Sequence, residues 1–297
     1  MTRNAIKFSL VGPGRVGTSV ALALERKGWV CRSIVSNPSS RREQQLLNRK
    51  FPGTKLLTSP VDLLPDFDVL FVAVRDDEVR GIISQLSKAS QVDWKGKTVF
   101  HFSGIVPLDA LTELHESGAA IGALHPISPF AQKYSPDFSR SIYYDFLGTP
   151  EALRYAREIA KGLRSKLLVL HSEKERAMLH VASVIASNTV VIAVKSAEEM
   201  ISGFIERRDA KSLLSKLLSS TAENVSTKDG MSALTGPLVR GDFDIIESHM
   251  RALRGKSRIL DYYRSASLLG IDELLKHESR GPRRTVLNRI KKLLEVE

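Results

Sequence analysis

Short runs of β-branched and other apolar residues recur along the first 170 positions, separated by stretches in which apolar residues return at helical spacing. Candidate strands are Ile6 to Val11, Val30 to Val35, Val69 to Val74, Thr98 to Phe102, Ala119 to Leu124, Ser141 to Phe146 and Lys166 to Leu170. Most are continuously apolar, as strands covered on both faces are. Strands alternating with helical stretches predict a mostly parallel, doubly wound sheet with helices packed on it. The first crossover helix, from Arg15 to about Lys27, offers Val16, Val20, Leu22 and Leu24 to the sheet, and Gly28 stands where a left-handed C-cap is needed.

After Leu170 the strand-like runs cease and helical periodicity continues to the end. The pattern divides the chain into a doubly wound α/β domain over 1–170 and an all-α domain over 171–297. Ser172 with Glu175 reads as a capping box, and the absence of Gly and Pro from there to Gly203 predicts one helix of about 30 residues. Its middle, Ala182 to Ala193, is nearly all apolar, so most of its circumference should be buried against other helices or a second copy of the chain. A homodimer through the helical domain is expected. Further helices are predicted at Ala210 to Asn224, Asp244 to Leu253 and Lys256 to Leu268, with a Gly- and Pro-containing loop from Ser232 to Gly241.

A length of 297 residues suits two cores better than one. The single cysteine, Cys31, excludes an intrachain disulfide and points to a reducing, cytoplasmic setting. A net charge of +11 favours an anionic partner. The longest apolar run, Val181 to Val194, is interrupted by Ser183, Ser187 and Asn188 and is shorter than a membrane span requires, so no membrane helix is expected. The N-terminal apolar block runs directly into Gly12 and reads as a strand, not a signal peptide.

Candidate chemistry is concentrated in a few places. Gly12-Pro13-Gly14-Arg15-Val16-Gly17 is a G-x-G-x-x-G between a predicted strand and a predicted helix. Gly12 permits a tight turn, Gly14 lets the backbone approach a pyrophosphate, and Gly17 lets the helix pack on the strand. The helix N-terminus, beginning at Arg15 and Val16, adds N–H donors and positive dipole. An acidic residue usually follows about 20 positions on to bind the adenosine ribose. Ser36 and Asn37 stand there instead, followed by Arg41 and Arg42, and this combination favours the 2′-phosphate of NADP(H).

At later strand ends, Arg75-Asp76-Asp77, Ser103-Gly104 and His125-Pro126-Ile127-Ser128 are expected to line the other half of the cleft. Ser103 is assigned to the cofactor and Ser128 to the substrate. His125 is a candidate proton donor near neutral pH, whereas His101, inside a strand, reads as structural. On the long helix His180, Ser183, Ser187 and Asn188 can share one polar stripe. Thr235 to Asp242 forms a second constellation, in which Arg240 could clamp a carboxylate or pair with Asp242. Zinc is not expected, because His101, His125 and His180 lack close ligand spacing.

These pieces carry a resemblance. VGPGRVGTSVALAL, HFSG (101–104), LHPISPF (124–130), HVASVIASN (180–188) and ALTGPLVRGD (233–242), in that order, resemble the 6-phosphogluconate dehydrogenase-like superfamily. Within it, the chain is most similar to a branch of Rossmann-like proteins with a C-terminal helical domain of unknown function. The resemblance implies an NADP(H)-dependent oxidoreductase with its substrate between the domains. Related dehydrogenases use a lysine four residues before an asparagine on the long helix. The matching asparagine is Asn188, and Val184 replaces the lysine. Asn188 would then polarise the substrate, His180 or His125 would exchange the proton, and Ser187, Thr235 and Arg240 would bind a small anionic carbonyl, hydroxy-acid or imine compound. The alternative is a non-catalytic NADP(H)- or nucleotide-binding sensor. Nucleic acid is disfavoured despite the basic tail from Arg280 to Lys292, which lacks interleaved aromatics and is amphipathic enough to dock on the protein itself.

Overall fold

The computed structural model describes residues 5–36, 40–278 and 280–295, the side chain of Phe138 excepted. The chain begins β1 (Lys7–Val11), α1 (Arg15–Glu25), β2 (Val30–Val35), α2 (Arg41–Lys50), β3 (Lys55–Leu57), β4 (Val69–Val72) and α3 (Val79–Leu86). It continues β5 (Thr98–His101), α4 (Thr112–Glu116), β6 (Ala120–Ile127), β7 (Tyr143–Gly148), α5 (Pro150–Gly162) and β8 (Lys166–Val169). All eight strands join one sheet in the order β3-β2-β1-β4-β5-β6-β7-β8. Every neighbouring pair is parallel except β6 and β7, which run antiparallel. The strand order therefore reverses beside β1, which creates a switch point between β1 and β4 where ligands of open α/β sheets collect.

Two apolar layers hold the sheet. Phe8, Leu10, Phe71, Phe100, Leu124, Tyr144 and Phe146 pack with Val20 and Leu24 of α1, Leu47 of α2 and Ala156 and Ile159 of α5. Val11, Leu70, Val72, Val99 and Ile121 face the other way, onto Ile83 and Leu86 of α3 and Leu114 of α4. Strand residues alternate between the layers, as a period of two demands. Gly28 adopts the positive φ expected of it, at 84°. The sequence reading omits β3, a three-residue edge strand too short to show a pattern. It also carries β4 and β5 past their ends, because residues 73–74 and 102 leave the strands to line the sheet's carboxyl edge.

The long helix is observed as α6 (Glu173–Ile201). Ser172 Oγ accepts from the Glu175 N–H at 3.2 Å, and the Glu175 carboxylate accepts from the His171 N–H at 2.7 Å. Then follow α7 (Arg207–Thr227), α8 (Pro237–Arg240), α9 (Phe243–Ala252), α10 (Ser257–His277) and α11 (Pro282–Glu295). The chain forms two compact units, 1–188 and 189–297, so the division falls within α6.

In the second unit a small core joins Ile246 and Met250 of α9, Ile271 of α10, and Ile290 and Leu294 of α11. The basic tail is thus the last helix of this unit. Arg283 pairs with Glu278 at 2.7 Å, Lys291 pairs with Asp272 at 2.6 Å, and the Arg289 guanidinium lies 3.9 Å from the centre of the Phe243 ring. Arg284 donates to the carbonyls of Leu275 and Glu278. Most of the tail's excess charge therefore has partners within the unit.

Two features of α6 bear on what covers it. Its apolar middle is not buried by the rest of the chain: Val191 is 70% and Ile192 63% exposed. It also contains an 18-residue window of mean hydropathy 1.9, a length and composition shared by membrane spans and by the core helices of soluble proteins. The interrupting serines weigh little because Ser183 and Ser187 donate to carbonyls one turn back, Leu179 O at 2.9 Å and Ser183 O at 2.6 Å.

Candidate functional site

The glycine-rich turn links the end of β1 to α1 at the switch point. Gly12 has φ +85°, and a Cβ there would lie 2.7 Å from Val74 Cγ1 and 2.8 Å from Ala73 O. A Cβ on Gly17 would come within 2.7 Å of Gly12 O and 2.8 Å of Ala73 Cβ. Both positions exclude a side chain through contact with backbone, which does not yield as a flexible side chain would. At Gly14 the nearest atom is 3.7 Å away, so glycine leaves open space on the cleft side. Gly14 is the N-cap of α1, with no side chain among the described residues capping the helix and no acid in its first turn. The uncapped N–H groups and the helix dipole suit an anion.

A cleft of about 610 Å³ opens beside this turn, lined by Gly12, Gly14, Ser36, Glu43, Thr58, Ala73, Arg75 and Lys133 among others. The space and the glycine cradle fit a dinucleotide. Ser36 lines the cleft as expected, whereas Asn37 lies outside the described residues. Arg15 and Val16 open α1, Arg15 exposed and Val16 partly buried against the core. Arg41 and Arg42 are exposed at the start of α2, and Arg42 faces a separate hollow with Gln45, Leu46 and Arg49. Sequence reading missed Glu43, whose carboxylate reaches the cleft from the first turn of α2, and Lys133, its partner there.

The second constellation lies farther along the same carboxyl edge. Since Phe100, Leu124, Tyr144 and Phe146 face the α1–α5 layer, alternation turns His101, His125 and Asp145 to the opposite face. His125 and Asp145 are direct cross-strand partners, and His125 Nδ1 donates to Asp145 Oδ2 at 2.9 Å. That bond fixes the tautomer and leaves Nε2 available for proton exchange.

The first turns of α6 supply the rest. Arg176, 1% exposed, approaches Asp145 Oδ1 with Nε at 3.7 Å. It donates from Nη1 to Val106 O (2.9 Å) and Glu173 Oε2 (2.8 Å), and from Nη2 to Ser103 O (2.8 Å). One turn on, His180 sets its ring 5.6 Å from that of His125. Gly104 makes room for both imidazoles: a Cβ there would collide with His180 Nδ1 and lie 3.1 Å from His125 Cε1.

Several buried polar atoms in this cluster have no hydrogen-bond partner among the described residues: both nitrogens of His101, Asp145 Oδ1, Arg176 Nε and His180 Nδ1. Unpaired buried polar atoms are costly, and a catalytic role is one reason a fold retains them. Among the described residues no group of three or more His, Cys, Asp or Glu is arranged to hold a metal.

Other sequence candidates are placed differently. Ser103 Oγ accepts from the Ile105 and Val106 N–H groups and so shapes the turn after β5. The Ser128 backbone closes a tight turn after β6. Asn188 is exposed and accepts from Ser187 Oγ at 3.3 Å, two turns of α6 beyond His180. In the second unit, Arg240 is tied to Asp242 at 2.7 Å, the pairing weighed above as the alternative to a substrate clamp, and Thr235 is exposed in the preceding turn.

His101, fully buried, has its pKa pushed down to about 3 from 6.5, chiefly by burial and then by the charges of Arg176 and His125. The unfolded chain therefore takes up a proton below pH 6.5 that the folded chain refuses, and stability falls as pH drops from about 6.5 toward 3. The slope is at most about 1.4 kcal/mol per pH unit. A His101→Leu variant should lose less stability between pH 7 and pH 5, by up to roughly 2 kcal/mol, in urea titrations at each pH. Parallel losses in the two proteins would contradict the assignment.

A glycine-cradled cleft at the switch point of a doubly wound sheet defines a Rossmann-type nucleotide-binding domain. Comparison with known families agrees: residues 1–126 match a Rossmann-like domain, and residues 142–269 match a domain of unknown function, DUF2520. The chain is a Rossmann-like domain followed by a DUF2520 domain. No curated protein sequence matches it.

Solved structures share the fold over nearly the whole length. One is a Bacteroides fragilis protein provisionally named an NADP oxidoreductase (TM-score 0.69, 20% identity, 89% of this chain and 96% of that one). Another is Plasmodium falciparum pyrroline carboxylate reductase, solved with NADP bound (0.60, 12%, 98% of each chain). A third is an imine reductase from Streptomyces aurantiacus (0.59, 14%, 96% and 93%).

Proposed function

We propose that the protein is an NADP(H)-dependent oxidoreductase acting on a small anionic carbonyl, hydroxy-acid or imine compound. The observation that carries this reading is the His125–Asp145 pair, set on the same carboxyl edge of the sheet as the glycine-cradled cleft. His125 lies on β6, three strands from β1, which is roughly 14 Å at the usual strand spacing. The fold likeness to reductases named for NADP, pyrroline carboxylate and imines supports the class of reaction.

Bound at the glycine turn, the nicotinamide coenzyme would supply or accept a hydride. The protein's own part is to hold the substrate and to manage the proton. His125, its Nδ1 engaged by Asp145, exchanges that proton through Nε2, and His180 stands beside it as the second imidazole. Asn188 would polarise the substrate oxygen or nitrogen. Arg240 is left out of this reading because its guanidinium is held by Asp242.

Calorimetric titration with NADPH and NADH tests the coenzyme, with NADPH expected to bind at least about tenfold tighter. Equal affinities would overturn the preference. Oxidation of NADPH in the presence of 2-keto acids or cyclic imines, above the rate without them, tests catalysis. Binding without turnover across that panel would favour the sensor reading, for which Val184 in place of the related enzymes' lysine is the motivation.

The exposed apolar positions of α6 and α7, including Ile185, Val191, Ile192, Leu213 and Leu217, support a homodimer formed through these helices. Sedimentation equilibrium showing only monomer at micromolar concentration would refute it. A cytoplasmic setting accords with the single, buried Cys31.

A further inference from the structure

The dinucleotide cleft contains a charge pair that the glycine motif does not require. Glu43, in the first turn of α2, and Lys133, 90 residues later in the segment after β6, both line it, with Lys133 Nζ 2.6 Å from Glu43 Oε1. Lys133 does not arrive by accident of a loose loop. The next residue, Tyr134, donates its N–H to Thr18 Oγ1 at 3.1 Å, and Ser135 donates its N–H to Ser19 Oγ at 3.1 Å. Thr18 Oγ1 in turn donates to Gly14 O at 2.7 Å, so the segment bearing Lys133 is tied to the glycine turn itself. Tyr134 also comes close to Glu43: its phenol is held above the ordinary range, first by burial and then by that carboxylate.

The chemistry of the two groups is opposed. A carboxylate near the end of the second strand suits the ribose hydroxyls of NAD(H) and repels a 2′-phosphate, whereas an ammonium there attracts the phosphate. Lys133 offsets Glu43 in the ion pair, and a phosphate of nearly two negative charges would compete with Glu43 for it. We propose that Lys133 is the cation that reads the 2′-phosphate of the coenzyme and that Glu43 sets the margin of discrimination by competing for Lys133. The inference rests on the NADP(H) reading above and adds to it. It moves the discriminating charge from the start of α2, where Arg41 and Arg42 are exposed, to the segment after β6.

Calorimetric dissociation constants for NADPH and NADH on wild type, Lys133→Gln, Glu43→Gln and the double variant test it. Lys133→Gln is expected to weaken NADPH by about 10- to 100-fold, since the phosphate then loses its cation and still meets the Glu43 carboxylate, with NADH changed less than about threefold. Glu43→Gln should tighten NADPH about three- to tenfold and weaken NADH by no more than about threefold, the amide oxygen being a poorer acceptor for the ribose hydroxyls. The double variant should bind NADPH more tightly than Lys133→Gln alone. Equal shifts for both coenzymes, or no change in NADPH affinity in either single variant, would overturn the inference while leaving the coenzyme assignment standing. Failure of the wild type to bind either coenzyme would overturn both.

Discussion

Replacing His125 by glutamine is expected to lower NADPH-dependent turnover of the best substrate in the keto-acid and imine panel by about 10² to 10⁴-fold, the usual cost of losing an acid–base group. Glutamine keeps an amide donor for Asp145 and so preserves the buried hydrogen bond of 2.9 Å, but it has no proton to exchange near neutral pH. NADPH affinity should stay within about twofold, because the glycine turn and Lys133 are untouched. A loss confined to kcat/KM, with binding retained, assigns the proton to His125. Unchanged turnover would move the role to His180, whose own replacement by glutamine is the companion measurement.

The largest effect on stability is expected at Arg176. Its guanidinium is almost fully buried, donates to the carbonyls of Ser103 and Val106, and faces Asp145, which is only 3% exposed in its side chain. Arg176→Met fills much of the same volume but leaves two carbonyls without a donor and a buried acid without its cation. Breaking a buried pair from one side costs about 3 to 5 kcal/mol. In a unit of this size that corresponds to a fall in Tm of roughly 10 °C.

The double variant Arg176→Met/Asp145→Asn separates the pair from the packing. If Asp145 is the partner that suffers, removing its charge should recover at least about 1 kcal/mol relative to the sum of the single changes. Strict additivity would show that the backbone hydrogen bonds of Arg176, and not its approach to Asp145, hold the structure.

Much of the α/β domain is legible because each strand is buried on both faces and each crossover helix carries its own punctuation. Val30 to Val35 is found with its bounds unchanged, and the glycine turn falls where its spacing places it. His125 and His180 are likewise singled out in advance and are brought within one ring contact of each other.

Asp145 and Arg176 are missed for a physical reason: single charges inside apolar runs look like noise until the partner strand is known. The signal was nevertheless present. Asp145 stands between Tyr144 and Phe146, which must share one face, so the carboxylate has to point to the other. Arg176 lies one turn before His180 and extends the polar stripe of the long helix. Glu43 and Lys133 could not be joined from sequence, because 90 residues separate them and nothing local in either segment anticipates the other.

The change of strand direction between β6 and β7 has a consequence for transplanting this site. In an antiparallel pair the opposing residues run in contrary directions, so His125 meets Asp145 while Pro126 meets Tyr144 and Gly122 meets Gly148. A shift of one residue would set Tyr144 or Phe146 against the imidazole and drive the carboxylate into the aromatic layer beneath α5. Copying the two residues onto an all-parallel Rossmann sheet would therefore keep their encounter only where that sheet's own register sets them opposite each other. The unit that has to be grafted is the β6–β7 hairpin in its alignment, together with the arginine-bearing turn that closes over it.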